Sequence, residues 1–224
     1  MIRGFCYLCH DVTHGCGAIF IKILGGKAML FLDRLSGCRL ILASHSPRRR
    51  ELLAGCGLQF TLADNYEVDE RYPDDLPADE VAAYLSRLKS ESFPRELSDG
   101  EVLITADTVV LLQDRILGKP SGREGAIGML RDLSGRNHRV ITGVTLRRRD
   151  RIETFDSRTE VWFKPLTEEE ILYYVDTFQP YDKAGAYGIQ EWIGYVGIER
   201  IEGSFYNVMG LPVQKLIARL EKFI

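Results

Sequence analysis

The sequence lacks an excess of either charge. Across 224 residues, 29 Lys plus Arg stand against 32 Asp plus Glu, a net of -3 at pH 7. That balance creates no field to hold a polyanion or an anionic membrane non-specifically, so neither a nucleic acid nor a membrane is expected as a partner. Long apolar runs are missing as well. The most apolar stretch, residues 17–32, is interrupted by Lys22 and Lys27 and falls short of a bilayer span. Cysteines number five, an odd count in a chain too long to need staples, which argues against a secreted disulfide framework and for the cytoplasm. What is present, 45% hydrophobic and 27% charged residues, describes an ordinary globular chain with one core, with room for two lobes.

Residues 1–28 differ from the rest. They hold Cys6, Cys9, Cys16, His10 and His14 but a single acid, Asp11. Cys6-Tyr7-Leu8-Cys9-His10 matches the spacing of a c-type haem attachment site, and with His14 and Cys16 it also reads as a zinc cluster. Haem attachment needs export, yet no basic start, apolar run and small-residue cleavage site precede it, and no second ligand pair follows. The expectation is a poorly ordered extension, with Met29 as an alternative first residue and a single domain over residues 29–224.

From Arg39 onward, with no repeat or low-complexity tract, short β-branched runs alternate with helical stretches, the pattern of an α/β fold. Strands are expected at Arg39–Ala43, Gln59–Ala63, Val102–Ala106, Val109–Leu112, Arg139–Arg147, Ile152–Phe163 and Tyr195–Ile201. Helices are expected after Ser46 and Pro47, and at Ala78–Phe93, Arg123–Leu133, Thr167–Thr177 and Pro212–Phe223. Ser46 is placed to cap its helix and Pro47 to open it, while Thr167 and Glu170 form a capping box. The long pair from Arg139 to Phe163 predicts an antiparallel hairpin. Its basic turn, Arg148-Arg149-Asp150-Arg151, lacks interleaved aromatics and reads as a solvated tip.

Three segments carry chemistry. In Ser44-His45-Ser46-Pro47-Arg48-Arg49, a strand feeds a helix amino terminus, whose free N–H groups and two arginines suit a phosphate. In Ile104-Thr105-Ala106-Asp107-Thr108, an acid stands where an apolar strand is expected to end, a place for a carboxylate that polarises water or holds a metal. Lys119 in a Gly-Lys-Pro turn, Asp69-Glu70 in a loop and Lys89 on a helix add acids and cations, the set that phosphoryl chemistry uses. In the third segment, residues 182–190, small residues allow close backbone approach, and Gln190 offers both an acceptor and a donor to a nucleobase edge.

Six collinear segments resemble the Maf family of nucleoside triphosphate pyrophosphatases: residues 42–49, 106–108, 118–120, 130–135, 182–190 and 207–212. The resemblance implies a Maf- or ITPase-like fold, an elongated mixed β-sheet flanked by helices with two lobes around a central cleft. It also implies hydrolysis of a nucleoside triphosphate between its α and β phosphates with a divalent cation, Mg²⁺ or Mn²⁺. By position it makes Asp107 the proton acceptor for water, and Arg48, Thr108 and Gln190 the residues that select dTTP and UTP over 7-methyl-GTP. Ser44, Arg49, Lys89 and Lys119 match phosphate-binding positions, and Glu70 an acid that shares the metal with Asp107. Departures are His45 between the serines, Ser90 after Lys89, and Glu191-Trp192 after Gln190, where Trp192 would alter the base pocket. A modified pyrimidine substrate and a homodimer are compatible with this reading. Competing readings are a nucleotide-binding regulator of cell division with little turnover and a purine- or 7-methyl-GTP-directed pyrophosphatase.

Overall fold

The computed structural model describes residues 35–224, so the segment expected to be an extension, with its haem-like and zinc-like spacings, lies outside the described residues. A 3-10 turn at Leu35–Gly37 leads into β1 (Arg39–Ala43), α1 (Pro47–Gly55), β2 (Phe60–Leu62), α2 (Val81–Glu91), β3 (Glu101–Leu112) and β4 (Arg115–Leu117). Then follow α3 (Gly122–Leu133), β5 (Asn137–Arg147), β6 (Ile152–Phe163), α4 (Glu168–Phe178), α5 (Trp192–Gly197), β7 (Ile198–Glu202), α6 (Phe205–Met209) and α7 (Val213–Phe223). The strands form one mixed sheet in the order β2-β1-β3-β5-β6-β7, with β4 also paired to β3. The first two neighbours of β1 are parallel and the rest of the sheet is antiparallel.

Alternation along β3 and β5 sends successive side chains to opposite faces. Val109, Leu111 and Ile141 pack under Val81, Ala82 and Leu85 of α2 on one face. On the other face there are two cores. Val102, Ile104, Ala106, Val144 and Leu146 pack against α1 and α7, whereas Val110, Leu112 and Val140 pack against α3 and α4. Leu52 and Leu53 of α1 join the first of these cores.

Several expectations are corrected. The strands expected at Val102–Ala106 and Val109–Leu112 are a single twelve-residue strand, so Asp107 is mid-strand rather than at a strand end. What ends near it is the neighbour: β1 pairs with β3 only as far as Thr105, and β4 takes up the same edge at Val110. The strand expected from Tyr195 starts at Ile198, because Trp192–Gly197 forms a short helix. Gly194 permits that helix, since a Cβ there would lie 1.8 Å from the Ile189 carbonyl oxygen. Ser46 is the N-cap residue of α1 by position, but its hydroxyl makes no capping bond; instead its N–H donates to Ser44 Oγ at 3.3 Å. The capping box of Thr167 and Glu170 is present in full.

The β5–β6 hairpin forms as expected, and its basic turn has structural work. Arg151 donates to the carbonyls of Lys222 and Phe223, and Arg148 to those of Phe223 and Ile224. Cations thus sit where the last carbonyls of α7 lack partners.

Candidate active site

A cleft of about 650 Å³ opens along the stretch of β3 edge left between β1 and β4. Ser44, Arg48, Arg49, Glu70, Lys89, Asp107, Thr108, Lys119 and Gln190, every site residue expected from sequence, line it.

The acidic side is assembled through a glycine. Gly143 faces Asp107 across the β3–β5 ladder, and a Cβ there would lie 2.2 Å from the carbonyl oxygen of Ala82. Its bare backbone lets α2 lie directly on the sheet, and further bonds from Thr105 to the Ser86 carbonyl and between Ser86 and Thr145 hold it there. Lys89, in the last turn of α2, then reaches Asp107 Oδ1 at 2.5 Å and Glu70 Oε1 at 3.0 Å. Asp107 and Lys89 are mostly shielded, with side chains 13% and 16% exposed, while Glu70 is 53% exposed. Asp69, next in sequence, turns outward to Arg71. Tyr66, whose hydroxyl donates to the Lys89 carbonyl at 2.8 Å, ties the Glu70 loop to α2.

The cationic side comes from α1. Four of the five guanidinium N–H groups of Arg49 are directed at protein acceptors. Nε donates to the Gly210 carbonyl at 2.7 Å, Nη1 to the Ala106 carbonyl at 2.8 Å and Ser44 Oγ at 3.4 Å, and Nη2 to Thr108 Oγ1 at 3.0 Å. Desolvation lowers the pKa of Arg49, an effect that the charge of Asp107 opposes. Proton counting fixes Thr108. Thr142 gives its only hydroxyl hydrogen to the Asn207 carbonyl at 2.9 Å, so the 2.9 Å bond between Thr108 and Thr142 is donated by Thr108. With its hydrogen committed and Arg49 donating to its oxygen, Thr108 acts on a ligand through Arg49. The resemblance implies a phosphate role for Arg49 and a selectivity role for Thr108; among the described residues this arrangement leaves one N–H of Arg49 for a ligand.

Arg48 crosses the cleft to Asp182 Oδ2 at 3.0 Å. Gln190 Oε1 is buried without a partner among the described residues. Lys119 and His45 are exposed on the cleft rim. Trp192 is not among the lining residues; it packs edge-on against Tyr173 with centroids 4.9 Å apart, which removes it from the base pocket expected of it. Asp182 and Lys183 also line the cleft; the segment 182–190 is singled out from sequence without a role for either, and the Arg48 partner of Asp182 is 134 residues away in the chain.

Among the described residues no group of three His, Cys, Asp or Glu side chains is placed to hold a metal. The donor set is therefore the two carboxylates that flank Lys89. Hard cations that act on phosphates are commonly held by one or two carboxylates, with phosphate oxygens completing the shell, so Asp107 and Glu70 fit such an ion.

Known proteins resemble this chain closely. A family model described as Maf-like protein matches residues 39–223. A protein of Bacteroides thetaiotaomicron named dTTP/UTP pyrophosphatase is 52% identical over 191 residues, 85% of this chain and 99% of that one. Another of the same name from Parabacteroides distasonis is 50% identical over 192 residues, 86% of this chain and all of that one. Among solved structures, a HAM1 protein from Coxiella burnetii is 14% identical, covers 83% of this chain and 99% of its own, and has a TM-score of 0.43, too remote to inform the site. On the family match and these identities, the chain belongs to the Maf family.

Proposed function

We propose that this protein hydrolyses dTTP and UTP to the nucleoside monophosphate and pyrophosphate. The observation that carries the reaction is the shielded Asp107 carboxylate, fixed by Lys89 in a cleft whose other wall is the amino terminus of α1. The names of the relatives supply the nucleotides.

Asp107 and Glu70 would hold a divalent cation, Mg²⁺ or Mn²⁺, which when bound neutralises charge on the triphosphate. Lys89 engages Asp107 Oδ1, so Oδ2 is the oxygen that takes a proton from water. The water oxygen forms its bond to the α phosphorus as the bond to the bridging oxygen breaks. Lys119, the open N–H of Arg49 and the free N–H groups of α1 receive the departing pyrophosphate. Because the protein as a whole carries net negative charge, this local cluster has to supply the attraction. The buried acceptor Gln190 Oε1 and its amide N–H pair with the pyrimidine edge.

The sequence's charge balance supports free nucleotides rather than nucleic acid as the ligand. Among the described residues the thiols of Cys38 and Cys56 form no disulfide, in keeping with the cytoplasm, and no helix there is long and apolar enough to cross a membrane. A pyrophosphate-release screen over dTTP, UTP, CTP, ITP and 7-methyl-GTP with each cation tests the reading. Asp107→Asn should abolish release while leaving the unfolding transition in place. Near-normal release from that variant would remove Asp107 from its role, and nucleotide binding by the wild type without any release would favour a binding module.

A further inference from the structure

A continuous path of polar bonds runs from Arg48 to the backbone N–H of Gly188, two residues before Gln190. Arg48 Nη1 meets Asp182 Oδ2 at 3.0 Å, and Lys183 Nζ lies 2.8 Å from Asp182 Oδ1 and 3.1 Å from Glu191 Oε1. Glu191 Oε2 accepts the hydroxyl hydrogen of Tyr174, whose oxygen accepts the Gly188 N–H at 3.0 Å. Charges alternate along Arg48, Asp182, Lys183 and Glu191, so the path is neutral as a whole. Lys183 is 8% exposed and Tyr174 fully buried, which makes these bonds costly to lose. Burial and the acceptor carboxylate of Glu191 push the phenol of Tyr174 up, so it remains the donor. Desolvation would raise the carboxyl of Asp182, but bonds from Lys183 and Arg48 outweigh it and hold the group below its usual range.

The path ends where recognition begins. A Cβ at Gly188 would lie 2.8 Å from Glu191 Cδ and 2.9 Å from Gln190 Nε2, so the carboxylate and the amide press on the same glycine. Among the described residues no bond orients Gln190 Oε1, so its aim depends on the backbone that Glu191 and Tyr174 hold. Glu191 itself is not a cleft-lining residue.

We propose that Glu191 is a specificity-determining positioning residue, which through Tyr174 and Lys183 sets where Gln190 and Arg48 stand relative to the nucleobase. The inference rests on the pyrophosphatase reading above. The triphosphate is gripped by other side chains, Arg49 held by Gly210, Ala106, Ser44 and Thr108 and Lys89 held by Glu70 and Asp107, so disturbing the path affects base choice more than hydrolysis.

The test measures kcat/KM for UTP and for GTP in wild type, Glu191→Gln, Tyr174→Phe and the double variant. Glu191→Gln keeps the shape but removes the charge opposite Lys183; Tyr174→Phe removes only the hydroxyl and serves if the first variant folds poorly. Each should lower the UTP-to-GTP ratio by about tenfold, the scale of one charge-assisted hydrogen bond. The double variant should fall little further, because both act on one path. A proportional fall for both nucleotides would show a merely structural role and overturn the proposal, as would an unchanged ratio or full additivity. Wild type that releases no pyrophosphate from UTP would overturn the pyrophosphatase reading, and this proposal with it.

Discussion

Gly143→Ala adds one methyl group on the strand beside Asp107, and the geometry ties it to turnover. The new Cβ would lie 2.2 Å from the Ala82 oxygen, 2.3 Å from its carbon and 2.4 Å from the Ala83 nitrogen, where ordinary contact begins at 3.4 Å. All three atoms are backbone, so no rotamer relieves the clash, and α2 has to lift by about an ångström. Overpacking of this kind costs about 2 kcal/mol, which for a domain of this size lowers Tm by about 4–8 °C. The larger effect is on rate. Lys89 rides on α2 and meets Asp107 at 2.5 Å, so the same displacement separates the pair, and misplacement by about 1 Å costs up to about 100-fold in kcat. Pyrophosphate release measured well below the melting transition, beside a thermal scan, checks both. Wild-type turnover together with a lowered Tm would refute the link between Gly143 and Asp107, and an unchanged Tm would refute the clash itself.

Gln190→Glu should weaken use of dTTP and UTP by about tenfold while sparing GTP, since an acceptor-only side chain cannot donate to a base carbonyl; relative kcat/KM values decide it. Thr142→Val removes the hydrogen that reaches Asn207 and the acceptor that Thr108 uses, so KM for UTP should rise several-fold with about 1–2 kcal/mol lost in urea unfolding; Thr142→Ser should restore both. Burial pushes His138 down to about 3 in the folded chain, whereas an unfolded histidine takes up a proton near 6.5. Its neutral form is therefore fully accommodated above pH 6.5, and stability falls as pH drops towards 3, by about 1.4 kcal/mol per unit. His138→Gln should flatten that slope in denaturation curves, and an unaltered slope would count against it.

Local signals were legible in the sequence. Thr167 and Glu170 lie three residues apart and determine their cap by themselves; Pro47 opens α1 because its ring sets the first helical turn; the alternation of Ile152–Phe163 gives that strand with its ends intact. Most of the site was legible too, through short motifs that the fold then brings to one cleft. The continuity of β3 was not. Thr105, Asp107 and Thr108 look like a polar stop, and the unbroken pairing with β5 from Leu103 to Leu111 carries the strand through. The bond from Arg48 to Asp182 joins positions 134 residues apart, and the spending of Arg49 on carbonyls depends on where Ala106 and Gly210 finish, so neither leaves a mark in local pattern. Ser46 holds the N-cap position without a capping bond, and its own N–H goes to Ser44 Oγ, a contact with no signature in local pattern.

The strand that passes under both cores has a consequence for how the molecule comes apart. Val102, Ile104 and Ala106 belong to one core and Val110 and Leu112 to the other, and β5 runs alongside with Val144 and Leu146 in the first and Val140 in the second. Neither lobe owns its central pair of strands, so neither can melt and leave the other with a complete sheet. Unfolding is then one cooperative event, with thermal and denaturant transitions that coincide whichever lobe the probe reports. The same two strands deny the cleft a hinge at its floor, so admission of a nucleotide falls to the loops around it while the lobes keep their spacing.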